Sequence, residues 1–205
     1  MEGRALAAMG TLGPRPAVAH DLVEAARVLM WETGAPVFTV SQLVAAAGTS
    51  LKSFYRCFGS KDELLVALFE DDARRGAEAL GREVDRYEDP VERVRCGVQG
   101  LFGFITLDGR LPYAAALVRE HLRLSESRPD ELRAVLQPFV DLLQRELENA
   151  GRSGAIKVDD SARLARTVFH LVVSHLHALI CHQIEESPTD IADDLWSFCA
   201  AALRP

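Results

Sequence analysis

Apolar side chains recur at the three- and four-residue spacing of amphipathic helices over most of the chain. From Val18 to Thr33 they form one stripe, which Gly34 ends, and a longer pattern runs from Lys61 to about Asp85. Further helical patterns follow, separated by turns rich in Asp, Gly, Ser and Pro. Since every periodic segment has the helical spacing, the pattern predicts an all-α protein.

Two short helices are predicted between these longer ones. Thr39 begins the first with a capping box, and Gly48 ends it in a left-handed turn. Ser50 caps the second, in which Phe54 and Phe58 share an apolar face while polar side chains occupy the other side. A helix, a Gly-containing turn and a helix with a polar outer face indicate a helix-turn-helix for DNA binding.

The motifs of this stretch stand in order at fixed spacing: Ala47-Gly48-Thr49-Ser50, Ser53-Phe54-Tyr55-Arg56-Cys57-Phe58 and Ser60-Lys61-Asp62-Glu63-Leu64. On these residues the segment from about His20 to Phe69 resembles the N-terminal domain of TetR-family transcriptional regulators. Lys52, Ser53 and Cys57 depart from the usual residues of that pattern, so a relative's operator sequence is not carried over.

The resemblance implies an N-terminal three-helix DNA-binding domain with a helix-turn-helix and a larger C-terminal helical domain for ligand binding and dimerisation. We expect a flexible N-terminal arm at 1–16, the DNA-binding domain at 17–64 and the helical body at 65–205. The arm contains three Gly and two Pro without a sustained period.

The family motif also implies which side chains meet DNA. Leu51 and Lys52 are expected at base edges, where lysine can donate to guanine and leucine can pack on a thymine methyl. Leu51 lies three residues before Phe54, so packing into the core is the alternative for it. The expected DNA-binding residues are Thr39, Ser50, Leu51, Lys52, Ser53, Tyr55, Arg56 and Lys61.

Charge agrees with this assignment once it is divided along the chain. The protein has a formal net charge of -7, but residues 1–61 contain six Lys/Arg and four Asp/Glu, which gives +2 for that part. The remaining 17 basic and 26 acidic residues give -9. A basic excess at the helix-turn-helix is the distribution expected of a DNA-binding domain on an acidic body.

The body is expected to hold a small apolar effector between its helices, because the resemblance implies a ligand pocket there. Gly97, Gly100 and Gly103 recur along one predicted helix, where they permit close approach or open space. Core packing is the alternative for each aromatic residue of the body. The candidate pocket residues are Phe102, Phe104, Tyr113, Phe139, Phe169 and His170.

The last two long helices, near 160–183 and 188–203, are apolar on more than one face and therefore need cover on both sides. The resemblance implies that they form the interface of a homodimer, which would bind a near-palindromic operator. The candidate interface residues are Phe169, Leu176, Ile180, Leu195, Trp196 and Phe198.

Other signals and other classes of protein remain open at this point. His170, Ser174, His177 and Cys181 share one helix face and favour a metal-responsive regulator, although one helix seldom supplies a full set of ligands. Oxidation of Cys57 in the second short helix would make a redox-responsive one. A dimeric carrier of apolar molecules without DNA binding is a further alternative.

An enzyme is not expected, because the chain has no nucleophile elbow, phosphate-binding loop or HExxH motif. We expect no cofactor and no resident metal. The four cysteines have no C-x-x-C spacing, which is typical of reduced thiols, and no segment has the length of a membrane span or a signal peptide. The sequence thus predicts a cytoplasmic, ligand-responsive transcriptional regulator, most often a repressor in the family it resembles.

Overall fold

The structure is a computed structural model that describes residues 16–106 and 111–203, except for the side chains of Phe104 and Ile105. Over these ranges the chain forms ten α-helices and no strand, which confirms the all-α prediction. The helices are α1 (Ala17–Thr33), α2 (Val40–Ala46), α3 (Leu51–Cys57), α4 (Lys61–Val84), α5 (Pro90–Thr106), α6 (Leu111–Ser127), α7 (Pro129–Val135), α8 (Gln137–Arg152), α9 (Ser161–Ile180) and α10 (Pro188–Ala202).

The predicted helix ends of the N-terminal domain are confirmed. Gly34 and Gly48 both adopt positive φ, 62° and 61°, and end α1 and the α2 turn. At the start of α2 the Thr39 side chain accepts a hydrogen bond from the backbone N–H of Gln42, whose side chain accepts one from the backbone N–H of Thr39. Ser50 caps α3 by accepting from the backbone N–H of Ser53.

The helices α1, α2 and α3 share one core with the first turns of α4. Its members have almost no exposed side-chain surface: Leu22, Ala26, Met30, Leu43, Phe54, Leu64, Leu65 and Leu68. Burying this apolar surface holds α2 and α3 in place, because helices of seven residues are not stable alone. Trp31 lies outside this core, since its side chain is 49% exposed and its ring lies 5.6 Å from that of Tyr113.

The helix α4 belongs to both parts of the molecule. Its first turns complete the N-terminal core, and its last turns pack on α5 and α8 of the body. The helix α5 is central to the body and packs against α4, α8, α9 and α10. A buried ion pair joins two of these helices, since Arg93 Nε of α5 lies 2.7 Å from Glu146 Oε2 of α8.

The segment from Pro129 to Arg152 forms two helices. The chain breaks at Leu136 between α7 and α8, and Pro138 lies in the first turn of α8. Proline is tolerated in a first turn because no backbone donor is needed there, so breaking the helix costs less than kinking it at an interior proline. The helix α9 ends at Ile180, three residues before the predicted end, and His182 follows with φ of 54°.

Within the described parts of the chain, none of the helices combines the length and the apolar character that crossing a membrane requires. The predicted arm at 1–16 lies outside the described residues, apart from Pro16 before α1.

Candidate nucleic-acid interface

The helix α3 presents its polar side to solvent because its apolar side is held in the core. Phe54 and Phe58 are buried, which fixes the rotation of the helix about its axis. The side chains of Leu51 and Tyr55 are 45% and 61% exposed, and that of Lys52 is exposed as well. The alternative that Leu51 packs in the core is therefore excluded.

Tyr55 is oriented by the residue before it in the chain. Its ring packs edge-on against that of Phe54, with centroids 5.1 Å apart. Arg56 is exposed in the last turn of α3, where a cation is favoured by the helix dipole. Two cations, a phenol and an aliphatic side chain thus stand on one outward surface, which suits the phosphates and base edges of a DNA major groove.

Three of the residues expected to contact DNA use their hydroxyl groups in hydrogen bonds within the helix-turn-helix. The Thr39 hydroxyl donates to Gln42 Oε1 over 3.0 Å, and the Ser50 and Ser53 hydroxyl oxygens lie 3.1 Å apart at the start of α3. Thr39 and Ser50 are exposed and Ser53 is half-buried. These hydroxyls set where each helix begins.

Lys61 is also engaged within the domain. Its Nζ donates to the carbonyl oxygens of Pro36 and Phe38, at 2.5 and 2.8 Å, and lies 4.2 Å from the centre of the Phe38 ring. Partial burial lowers the pKa of Lys61. The ammonium group thereby ties the start of α4 to the loop that leads into α2.

Arginines of the body neutralise the acidic first turn of α4. Arg123 Nη2 lies 2.6 Å from Asp62 Oδ1, and Arg128 Nη2 lies 3.6 Å from Glu63 Oε1. The Arg123 ion pair lowers the pKa of Asp62. The ion pairs of these arginines are not predictable from the sequence, because nothing local in it connects α6 or α7 with α4.

A polar network joins α1, α4 and α6. Asp72 of α4 accepts hydrogen bonds from Arg27 Nε of α1 at 2.8 Å and from the Tyr113 hydroxyl of α6 at 2.5 Å. Arg27 also reaches Asp71 and Glu24, at 2.7 and 2.5 Å. Burial raises the pKa of Tyr113, and the Asp72 carboxylate adds to that rise. The network connects the N-terminal domain directly to a helix of the body.

The residues predicted to line a ligand pocket lie in different parts of the body. Phe102, Phe139 and Phe169 are core side chains, and Tyr113 is buried in the network of α1, α4 and α6. His170 is exposed on α9. The Phe104 side chain lies outside the described residues. An aromatic residue at helical spacing packs into the core more often than it lines a cavity, and that is the outcome here.

Four of the residues predicted for the dimer interface are buried in the protomer's own core. These are Phe169, Leu176, Ile180 and Leu195. The other two remain available to a partner, since Phe198 is 67% exposed and Trp196 half-buried on α10. The face of each helix that packs into the core is also its more apolar face. The sequence pattern therefore pointed to core residues when interface residues were sought.

The histidine and cysteine face of α9 is largely open to solvent. His177 Nε2 and Cys181 Sγ lie 3.4 Å apart. Among the residues described, no three His, Cys, Asp or Glu side chains come together in a way that could hold a metal ion.

The fold and the exposed face of α3 define a DNA-binding protein of the helix-turn-helix class. Residues 22–68 match the family model described as bacterial regulatory proteins, tetR family. This match confirms the resemblance of the N-terminal domain to TetR-family transcriptional regulators that its motifs indicate.

Known proteins resemble this chain over most of its length. The nucleoid occlusion factor SlmA of Vibrio vulnificus (strain YJ016) is 23% identical over 184 residues, or 87% of this chain and 91% of that protein. The transcriptional regulator FadR from Bacillus subtilis, in complex with stearoyl-CoA, superposes with a TM-score of 0.67 at 16% identity, covering 87% of this chain and 95% of that one. AibR in complex with isovaleryl coenzyme A and operator DNA gives 0.59 at 20% identity, covering 88% and 97%. At such identities the two structural matches show the fold alone.

Proposed function

We propose that this protein represses transcription as a homodimer and is released from a near-palindromic operator when a small apolar molecule binds its helical body. The observation that carries the proposal is the outward face of α3, where Leu51, Lys52, Tyr55 and Arg56 stand on a helix fixed by buried Phe54 and Phe58. Two-fold symmetry would place two such helices in successive major grooves.

Residues 17–64 serve as the DNA-binding domain and residues 65–205 as the ligand-binding and dimerisation body. The two are not separate bodies, because α4 runs through both and the Asp72 network ties α6 to α1. That AibR is seen with both an acyl-coenzyme A and operator DNA supports a fold in which ligand and DNA sites coexist. A ligand releases DNA only if it binds one of two conformations more tightly.

DNA recognition is tested by selecting sites from random duplex DNA at two salt concentrations, using protein unfolded and refolded to remove carried ligand. We expect a two-fold-symmetric site for the wild type. Lys52→Ala should relax one base position at a cost of about 1–3 kcal/mol, and Tyr55→Ala should weaken binding evenly across sequences. Lys157→Ala replaces an exposed lysine outside the helix-turn-helix and is the matched control.

Two outcomes decide the matter. Selective loss in the two α3 variants with unchanged binding by Lys157→Ala supports the proposal. Equal, sequence-blind and salt-sensitive binding by all four proteins would mean that the motif is only a scaffold, and would reopen the interpretation as a carrier of apolar molecules.

A further inference from the structure

A groove of about 580 Å³ lies between α4, α5 and the start of α10. Its volume is within the range of small-molecule sites, roughly 300–1,000 Å³. It lies apart from the aromatic residues that the sequence pointed to, and its apolar wall is made of small side chains and one leucine: Ala79, Leu80, Cys96, Gly100, Gly103 and Ala192.

The glycine repeat of α5 explains both the tight packing and the open space. A Cβ at Gly97 would lie 3.3 Å from a methyl of Leu143, and one at Gly100 would collide with a methyl of Leu80. The helices α4 and α8 therefore approach α5 closely at these two positions. Gly103, one turn further on, also lines the groove.

One hydrogen bond joins the far wall to α5. Gln99 Nε2 donates to Asp193 Oδ1 over 2.6 Å, which links α5 to α10 across the groove. Small residues on both sides of this link, Gly103 and Ala192, leave the space between the helices unfilled. The cavity therefore exists because Gly103 and Ala192 have little or no side chain to fill the space between α5 and α10.

The deep wall offers an acceptor for a hydrogen bond. Thr106 lines the groove and is only 7% exposed, and its hydroxyl donates to the Phe102 carbonyl over 3.0 Å. While that hydrogen bond is kept, the Thr106 oxygen remains free to accept one from a ligand. A ligand with a donor group therefore suits this wall.

The charged residues of the lining nearly balance. Among the described lining residues, Arg82 carries a positive charge, and Glu83 and Asp193 carry negative charges. Glu83 is also paired with Arg86 at 2.7 Å. Burial raises the pKa of the Cys96 thiol, and the nearby Glu83 adds to this, so that this side chain is neutral. A polyanionic head group needs several cations, and the described residues of this lining supply one.

We infer that this groove binds an uncharged, mostly apolar molecule that carries a hydroxyl donor, such as a long-chain alcohol. The inference rests on the proposed function and deepens it, since it names the class of effector and the place where it binds. It separates this protein from the two relatives seen with acyl-coenzyme A molecules, because the described lining of the groove contains one arginine and two carboxylates.

The ligand class is tested with four molecules of one chain length: 1-decanol, decanoate, decyltrimethylammonium and decanoyl-coenzyme A. Binding is measured by displacement of a neutral fluorescent apolar probe from the full-length wild type. We expect decanol to bind at least roughly tenfold tighter than decanoyl-coenzyme A, since the thioester brings phosphates without cationic partners. Tighter binding of the coenzyme A thioester or of either charged decyl compound overturns the inference.

The location is tested with Ala79→Phe, which fills the groove from α4, and with Ala134→Phe as the matched control at an exposed alanine of α7. Circular dichroism confirms folding of both. Ala79→Phe should weaken decanol binding by roughly tenfold or more, and the control should not. Arg82→Ala, a surface change that fills nothing, should leave decanol affinity within about threefold. Unchanged binding by folded Ala79→Phe places the ligand elsewhere and overturns the inference.

Failure of this inference can be told apart from failure of the proposed function by measuring operator binding on the same samples. If the wild type binds no symmetric operator, the proposed function fails whatever the groove binds. If operator binding is released by another molecule and Ala79→Phe responds as the wild type does, the regulator stands and the groove inference fails. Release by decanol in the wild type and the Ala134→Phe control, but not in Ala79→Phe, supports both.

Discussion

Lys61 is held by contacts within the N-terminal domain. Its ammonium group is already held by the carbonyls of Pro36 and Phe38 and lies over the Phe38 ring. The motif implies a phosphate contact for this lysine, whereas its contacts within the domain favour a role in positioning α2.

We therefore expect Lys61→Met to lower both the melting temperature and the affinity for operator DNA, while the salt dependence of binding stays that of the wild type. Each phosphate neutralised contributes about 0.9 to the slope of log affinity against log salt. Lys52→Met serves as the comparison on α3. A slope shallower by about 0.9 for Lys61→Met would show that this lysine contacts a phosphate after all.

His121 is a buried polar group without a hydrogen-bond partner for its Nε2 atom among the described residues. Its ring packs edge-on to Phe69 of α4, with centroids 6.4 Å apart. Burial lowers the pKa of His121 below its ordinary value of 6.5. The folded protein therefore takes up this proton at a lower pH than the unfolded chain does.

The sign of the pH effect follows from that difference. Below about pH 6.5 the unfolded chain binds more protons at this position, so the free energy of unfolding falls as the pH drops. We expect His121→Leu to make this fall shallower between pH 5 and 7, measured by urea unfolding at one protein concentration. His170→Leu, at an exposed histidine, is the control, and equal slopes in the two variants would contradict the account.

At the scale of elements, α6 is joined to the N-terminal domain by the Tyr113 hydroxyl. This group donates to Asp72, whose carboxylate is also bound by Arg27 of α1. Burial raises the pKa of Asp72, and Arg27 offsets part of that rise. The hydrogen bond therefore stabilises a carboxylate that is otherwise costly to bury.

Tyr113→Phe should lower the free energy of unfolding by about 1.5–3 kcal/mol, the range for hydrogen bonds to charged groups. Urea denaturation measures this change, and Tyr87→Phe, at an exposed tyrosine, controls for loss of a hydroxyl. A loss in Tyr113→Phe no larger than in the control would show that water replaces the bond.

Local signals in the sequence were sufficient to predict most of the elements. The helix caps form as predicted at Thr39 and Ser50, and the helix ends form at Gly34 and Gly48. Each of these features depends on residues three or four apart in the sequence. At the start of α4, Ser60 accepts a hydrogen bond from the backbone N–H of Glu63, and the Glu63 carboxylate accepts one from the backbone N–H of Gly59.

Contacts between distant elements were not predictable in the same way. Periodicity showed that Phe102, Phe139 and Phe169 lie on apolar helix faces. It does not show whether such a face packs into the core or lines a cavity. The groove was signalled only by the Gly97–Gly100–Gly103 repeat, and the partners of Asp72 lie 45 and 41 residues away in sequence. Such pairings depend on the packed fold.

At the scale of the whole molecule, Phe198 is the most exposed aromatic side chain of the described part of the body. It stands on α10 next to half-buried Trp196, on one of the two helices proposed for dimerisation. A large exposed aromatic group of this kind is typical of a surface that a partner covers.

We expect Phe198→Glu to convert the dimer to a monomer in sedimentation at micromolar concentration and to abolish binding to a two-half-site operator. Placing a charge in an apolar interface leaves it without water or a partner. Leu122→Glu makes the same change at an exposed leucine of α6 and should remain dimeric. A dimeric Phe198→Glu variant would move the interface to another face.

The 24 residues of α4 give the molecule one further property. At 1.5 Å per residue the helix is about 36 Å long, so a tilt of about 5° at its body end moves its other end by about 3 Å. It is a lever arm with the DNA-binding domain at its tip and the groove near its base. In a dimer two such arms swing in opposite directions, and a ligand that shifts packing by little within the body would alter the distance between the two recognition helices by several ångströms.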